Sequence, residues 1–177
     1  MRVLGVDPGS AVTGFGIVEG RRGNFRFVAA GVIRTNSIER AANRLRRIHE
    51  QLLAVIDAHV PDAISLERSF VAANVQSAFR IGEARAMAML AAAERDLPLQ
   101  EYPPNQVKLA VTAFGHADKS QVKYVVRRTL GLAAEYELAD DAADALAIAI
   151  CHLGRAGRPR PVDAVERPAH PARLRRR

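Results

Sequence analysis

The chain has 177 residues, of which 49% are hydrophobic and 25% charged, and its formal net charge is +7. That length suits one domain with a substantial core, and the composition excludes a disordered chain. No apolar run approaches the roughly 18 residues a membrane span needs, and a single cysteine, Cys151, excludes an internal disulfide.

The first segment, RVLGVD at 2–7, is a short apolar run stopped by Asp-Pro-Gly, which predicts a buried strand and a turn. The acid and the turn come too early for the apolar region of a signal peptide, so a cytoplasmic protein is expected. GFGIVEG and NFRFVAAGVIRTN are two more strand-like runs, and the Gly/Asn composition of the linking EGRRGN is that of a hairpin. From Ile38 to Ala58 the period becomes helical, with Leu45, Ile48, Leu52 and Ile56 on one face. DAISLE at 62–67 is again a buried strand, and an alanine-rich helix is predicted over about 73–95. LPLQEYP makes a short strand ended by proline, and two or three helices follow, the last starting near Asp141. Cys151 falls on an apolar face of that helix, the place of a small core residue. The five histidines show no metal-ligand spacing with it or with each other.

Three consecutive strands followed by strands alternating with helices predict one mixed sheet flanked by helices. The first pairs are antiparallel and the later ones parallel, in the order of a ribonuclease-H-like domain. This domain is expected over 1–156. Residues 157–177 hold seven arginines against Asp163 and Glu166, a surplus of +5, together with four prolines. They read as a flexible basic tail, suited to nucleic acid or to solubility. The folded body keeps a charge of only +2.

Acids gather at the ends of the predicted elements. Asp7 ends the first strand and Glu67 ends DAISLE, while DDAADALAIAI at 140–150 opens the last helix with three aspartates in five positions. Asp141 and Asp144 lie three apart and share a face, as do Asp140 and Asp144 at four apart. If the first and fourth strands are neighbours, Asp7 and Glu67 emerge together. Four such carboxylates repel and raise one another's pKa unless a cation holds them ionised. Hard divalent ions, Mg²⁺ above all, take such oxygen ligands, and two of them can serve a phosphodiester displacement. Capping and turn preferences also place single acids at these positions with no function attached.

LGVDPGSAVTGFGIV (4–18), LERSF (66–70), SAFRIGEARA (77–86), ADKSQVK (117–123) and DDAADALAIAI (140–150) together resemble the RuvC family of bacterial Holliday-junction resolvases. The resemblance runs from residue 1 to about 155 and excludes the tail. It implies catalytic, metal-holding carboxylates at Asp7, Glu67, Asp141 and Asp144, choosing Asp141 over Asp140 through the D-A-A-D-A pattern. Asp140 is then an extra acid, expected to cap the helix.

The resemblance also implies a basic residue near the active site at Lys119 and another at Lys108, and an aromatic contact to DNA at Phe70. Arg68 and Arg80 are near enough in sequence to meet the DNA backbone. Lys119, Lys123 and Arg127, at i, i+4 and i+8, line one helix face that can track phosphates or simply face water. The implied activity is the paired nicking of four-way DNA junctions with two Mg²⁺ ions per site, Mn²⁺ being a possible substitute, to leave 5′-phosphate and 3′-hydroxyl ends. The implied partners are a second copy of the chain and the branch-migration motor of RuvA and RuvB. The small residues Gly82, Ala84, Ala86 and Ala88 make the long helix a candidate dimer face.

Two rival classes meet specific objections. DPGSAVTG also resembles the phosphate loop of actin-like and sugar-kinase ATPases, but those need two related domains and a second glycine-rich loop. A non-catalytic DNA-binding module on the same fold has no use for four acids facing phosphate.

Overall fold

A computed structural model describes residues 1–9, 11–21, 23–36, 38–68 and 75–155. The strands are β1 (Arg2–Asp7), β2 (Val12–Arg21), β3 (Asn24–Arg34), β4 (Ala63–Glu67) and β5 (Leu99–Tyr102). They form one sheet in the order β3-β2-β1-β4-β5. The β1–β2 and β2–β3 pairs are antiparallel, and the β1–β4 and β4–β5 pairs are parallel, as the chain order predicts. The β2–β3 hairpin turns through Gly23, whose φ of +89° few side-chain-bearing residues adopt.

Alternation along the strands sorts side chains between two helical layers. Leu4, Val6, Phe15, Ile17, Ile64 and Leu66 face the layer of α1 (Ala41–His59) and α2 (Val75–Glu94). Helix α1 presents Ile48, Leu52 and Ile56, and α2 presents Ala84, Ala88, Ala91 and Ala92. Two of the four small residues proposed for a dimer face, Ala84 and Ala88, are thus core, while Gly82 and Ala86 point outward. Helix α1 ends at Val60, which has φ +46° and donates its N–H to Ile56 O. The other face of the sheet takes α3 (Pro104–Thr112), α4 (Lys119–Thr129) and α5 (Asp140–Arg155).

Helix α5 is buried almost all round, from Ala142 to Leu153, between the sheet and the α3–α4 pair. It lies so close to the sheet that side chains are excluded beneath it. A Cβ on Gly5 would stand 2.0 Å from the Ala145 carbonyl oxygen, and one on Gly14 2.0 Å from that of Asp141. The alternate glycines of β1 and β2 and the alanines of α5 therefore set the height and slide of the helix. Cys151 is fully buried in it, its thiol pushed up to about 11 by that burial, which agrees with a core role. Among the described residues no helix is long and apolar enough to cross a membrane. The basic tail, 157–177, lies outside the described residues.

Candidate active site

The sheet register brings two acids together. Leu4 pairs with Ile64 and Val6 with Leu66, so Asp7 and Glu67 are the next residues on adjacent parallel strands. Both follow the parity of Gly5 and Ser65, opposite to Leu4, Val6, Ile64 and Leu66, which places them on the α5 side. The Gly14–Asp141 contact delivers the first turn of α5 to the same place, because Gly14 is also the partner of Asp7 in the β1–β2 ladder. Asp141 and Asp144 then lie on one face of that turn.

The electrostatics mark these four as one cluster. The Asp7 carboxyl is pushed up to about 7, first by burial and then by the charges of Asp144, Glu67 and Asp141, with Lys119 opposing. Glu67 is raised above the usual carboxylate range by burial and by Asp144, while Lys119 and Lys108 pull it down. Lys119 opens α4, whose start is fixed by reciprocal capping. Asp118 accepts from the Gln121 N–H, and Gln121 Oε1 accepts from the Asp118 N–H. From there Lys119 Nζ reaches Asp144 Oδ2 at 3.0 Å, and that bond and charge raise the lysine above its ordinary value. The site is thus a partly buried acid cluster with one ammonium reaching in.

Among the described residues no three His, Cys, Asp or Glu side chains stand together as a ready-made metal site. The donor chemistry nevertheless fits a hard divalent cation. The donors are oxygens only, and Asp7 is pushed up to about 7 by burial first and then by neighbouring acid charges, both of which a cation would offset.

The other residues singled out in the sequence spread over a wider surface. Arg68 is exposed just past β4, its backbone N–H on the Tyr102 carbonyl at 2.8 Å. Arg80 is exposed on α2, and Lys108 is half-buried on α3, close enough to lower Glu67. Phe70 lies outside the described residues. Lys123 and Arg127 bond inside the fold, to Asp140 Oδ1 at 2.7 Å and to carbonyls of the α4–α5 loop. Asp140 is not the cap expected of it. It is the first helical residue, and Lys123 takes its carboxylate and holds its pKa low. Sequence reasoning missed Gly14, although glycine at every second position of GFG signals a close backbone approach.

A ribonuclease-H-like α/β domain that gathers four carboxylates where β1, β4 and α5 meet is the class this architecture defines. Within that class the chain belongs to the RuvC family, whose sequence model, described as crossover junction endodeoxyribonuclease RuvC, matches residues 3–152. The crossover junction endodeoxyribonuclease RuvC of Frankia alni is 49% identical over 156 residues, covering 88% of this chain and 79% of that protein. The protein of the same name from Geobacter metallireducens is 46% identical over 158 residues, covering 89% and 94%. Among solved structures, T. thermophilus RuvC in complex with Holliday junction substrate superposes with a TM-score of 0.83 at 36% identity, covering 88% of this chain and 94% of that one.

Proposed function

We propose that this chain is a divalent-metal-dependent endonuclease that resolves four-way DNA junctions by paired symmetric nicks, in recombination and repair. The observation that carries the reading is the convergence of Asp7 and Glu67 with the first turn of α5, in a family named for this reaction. Asp7, Glu67, Asp141 and Asp144 are the residues that would hold the metal, two Mg²⁺ ions in our reading. Such ions supply activation of water and neutralisation of the charge that builds on the phosphate.

The chain's own residues do the rest. Lys119, whose side chain is 78% exposed, brings a positive charge to the mouth, where a scissile phosphate would lie. Lys108 brings a second cation beside Glu67. Arg68 and Arg80 are exposed and free to meet backbone phosphate on either side, and Phe70 is the aromatic we assign to stacking on an unpaired base.

One chain carries one acid cluster, and a junction needs two cuts related by a two-fold axis, so the working unit in this reading is a homodimer. The outward face of α2 supports it, with Phe79 70% exposed beside Gly82 and Ala86. The same reading places the chain in the cytoplasm, acting with the RuvA–RuvB branch-migration motor.

The test is a synthetic four-way junction incubated with the protein and Mg²⁺, resolved on a denaturing gel. Paired nicks at symmetric positions, ending in 5′-phosphate and lost on chelation, are expected. Intact strands at saturating protein and Mg²⁺ would remove the proposal. Sedimentation at micromolar concentration checks the dimer, and a stable monomer would count against it.

A further inference from the structure

Helix α4 meets the acid-bearing end of α5 along one face. Lys119, Lys123 and Arg127 are each four residues apart, and each finds a partner inside the chain. Lys119 Nζ lies 3.0 Å from Asp144 Oδ2, and Lys123 Nζ lies 2.7 Å from Asp140 Oδ1. The Arg127 guanidinium donates to the carbonyls of Ala133 at 2.5 Å, Ala134 at 3.1 Å and Tyr136 at 2.8 Å. Read from 119 to 127, the partners step back from 144 to 140 to 133–136. The stripe therefore runs antiparallel to the segment that leads into α5, over about 12 Å of helix at 1.5 Å per residue.

The same segment is tied at its other points. Helix α4 stops where Gly131 takes φ +61°. The Gly131 N–H goes back to Arg128 O at 3.3 Å and the Leu132 N–H to Arg127 O at 3.0 Å, the paired bonds of a Schellman stop. Arg127 thus grips the loop twice, by its own carbonyl and by its guanidinium. Further on, the Tyr136 ring meets Phe27 of β3 edge-on, with centroids 5.4 Å apart, and Leu138 is buried. The approach to α5 is fixed from both sides before its first turn begins.

We infer that Lys123 and Arg127 are positioning residues: they set where α5 starts, and so where Asp141 and Asp144 stand against Asp7 and Glu67, rather than contacting DNA. Exposure separates them from the lysine at the head of the stripe. The Lys119 side chain is 78% exposed and that of Lys123 only 32%, so the first can turn to a ligand and the second is spent on α5. A guanidinium committed to three carbonyls has likewise lost its best geometry for a bidentate phosphate. This inference rests on reading Asp141 and Asp144 as acids of the cleavage site.

The decisive variant is Asp140→Asn, because the two roles of Lys123 predict opposite signs. It keeps shape at an exposed side chain and removes the carboxylate charge that Lys123 pairs with. If Lys123 positions α5, single-turnover nicking of a four-way junction at saturating protein should slow several-fold, and half-saturation by Mg²⁺ should move to higher concentration. Lys123→Gln should do the same, and the double variant should be no worse than either single one. Arg127→Ala should lose about tenfold or more in rate, the scale of a small misplacement of reacting groups, with Arg127→Lys recovering part of it. Metal-free junction affinity should hold in all of them.

If these residues instead contact DNA, Asp140→Asn frees Lys123, so binding tightens and the saturated rate stays at or above wild type. Lys123→Gln and Arg127→Ala would then weaken binding and each lower the salt slope by about one. That pattern, or an unchanged saturated rate in Asp140→Asn, overturns the inference. Mg²⁺ affinity is read separately, from the rise in melting temperature with added Mg²⁺. It reports on the positioning of the acids even if the wild type fails to nick, an outcome that would sink the nuclease reading alone.

Discussion

Asp7→Asn isolates what charge does at the site, because it keeps the shape of the side chain. Asp7 ends β1 beside Glu67 and beneath the first turn of α5, and its carboxyl is pushed up to about 7 from 3.8. At 1.36 kcal/mol per pKa unit, ionising it there costs roughly 4 kcal/mol more than in the unfolded chain. The native state binds the extra proton, so this cost is absent below the unfolded pKa and grows as pH rises from about 4 to 7. Metal-free wild type should therefore lose stability across that window, and the Asn variant should not. At pH 8 without metal the variant should melt several degrees higher, at about 2–4 °C per kcal/mol for a domain of this size.

Function should move the other way. Asn leaves one weak neutral oxygen where a cation needs an anionic one, and a loss of several kcal/mol of transition-state stabilisation is a fall of about a thousandfold or more. Junction affinity without Mg²⁺ should hold or rise, since one negative charge facing phosphate has gone. Single-turnover nicking, a gel-shift titration and melts at pH 5.5 and 8, with and without Mg²⁺, read all of this together. If Asp7 only supports the Asp-Pro-Gly turn, Asn serves nearly as well. Near-normal nicking, or a variant that melts lower than wild type at pH 8 without metal, would refute the reasoning.

Three further perturbations probe the scaffold. Gly14→Ala places a methyl 2.0 Å from the Asp141 carbonyl oxygen, which should cost about 1–3 kcal/mol. By shifting the first turn of α5 it should also slow nicking more than it weakens junction binding, as single-turnover rates and gel shifts on the same preparation would show. Val60→Gly removes a β-branched residue from φ +46° at an exposed helix end. It should stabilise by about 0.5–1 kcal/mol once the added freedom of the unfolded chain is subtracted, and a lower denaturant midpoint would contradict the strain argument. Truncation after residue 156 should leave the nicking rate intact and make log affinity fall less steeply with log salt, since up to seven arginines are lost. An unchanged slope would mean that the tail does not touch DNA.

The parts of this fold legible in the sequence are those where one period dominates. Ile48, Leu52 and Ile56 recur at helical spacing and are the buried stripe of α1, and RVLGVD is β1 residue for residue. Where small residues occupy both faces the period disappears. In α2 the alanines at 84 and 88 are core, while Gly82 and Ala86 are surface, and their size alone cannot sort them. The basic stripe of α4 shows the complementary ambiguity. A spacing of four reveals that Lys119, Lys123 and Arg127 share a face, but not that the face is turned to α5. Asp140 is a third case, since an acid before a helix and an acid in its first turn are favoured by the same dipole, so sequence leaves the boundary open by one residue.

The three aspartates at the head of a helix whose middle is wholly apolar pose the converse problem, a charge cluster that local preference alone does not require. Their placement follows from what lies behind them. From Ala145 to Cys151 helix α5 is apolar and buried on every side, and close approach of Ala145, Asp141 and Leu146 to Gly5, Gly14 and Gly16 fixes its position there. That contact is short-range and steep, so the first turn can slide little relative to β1 and β2. The acids of α5 and the acid ending β1 are then held at one separation before any ion or DNA arrives. The cost is the burial and the repulsion that raise Asp7, and Lys119 offsets part of it. Acids held this way cannot relax away from one another. Loosening the helix by enlarging Gly14 should therefore lower the Asp7 pKa while it weakens metal binding, a pair of changes that a merely misfolded site would not show together.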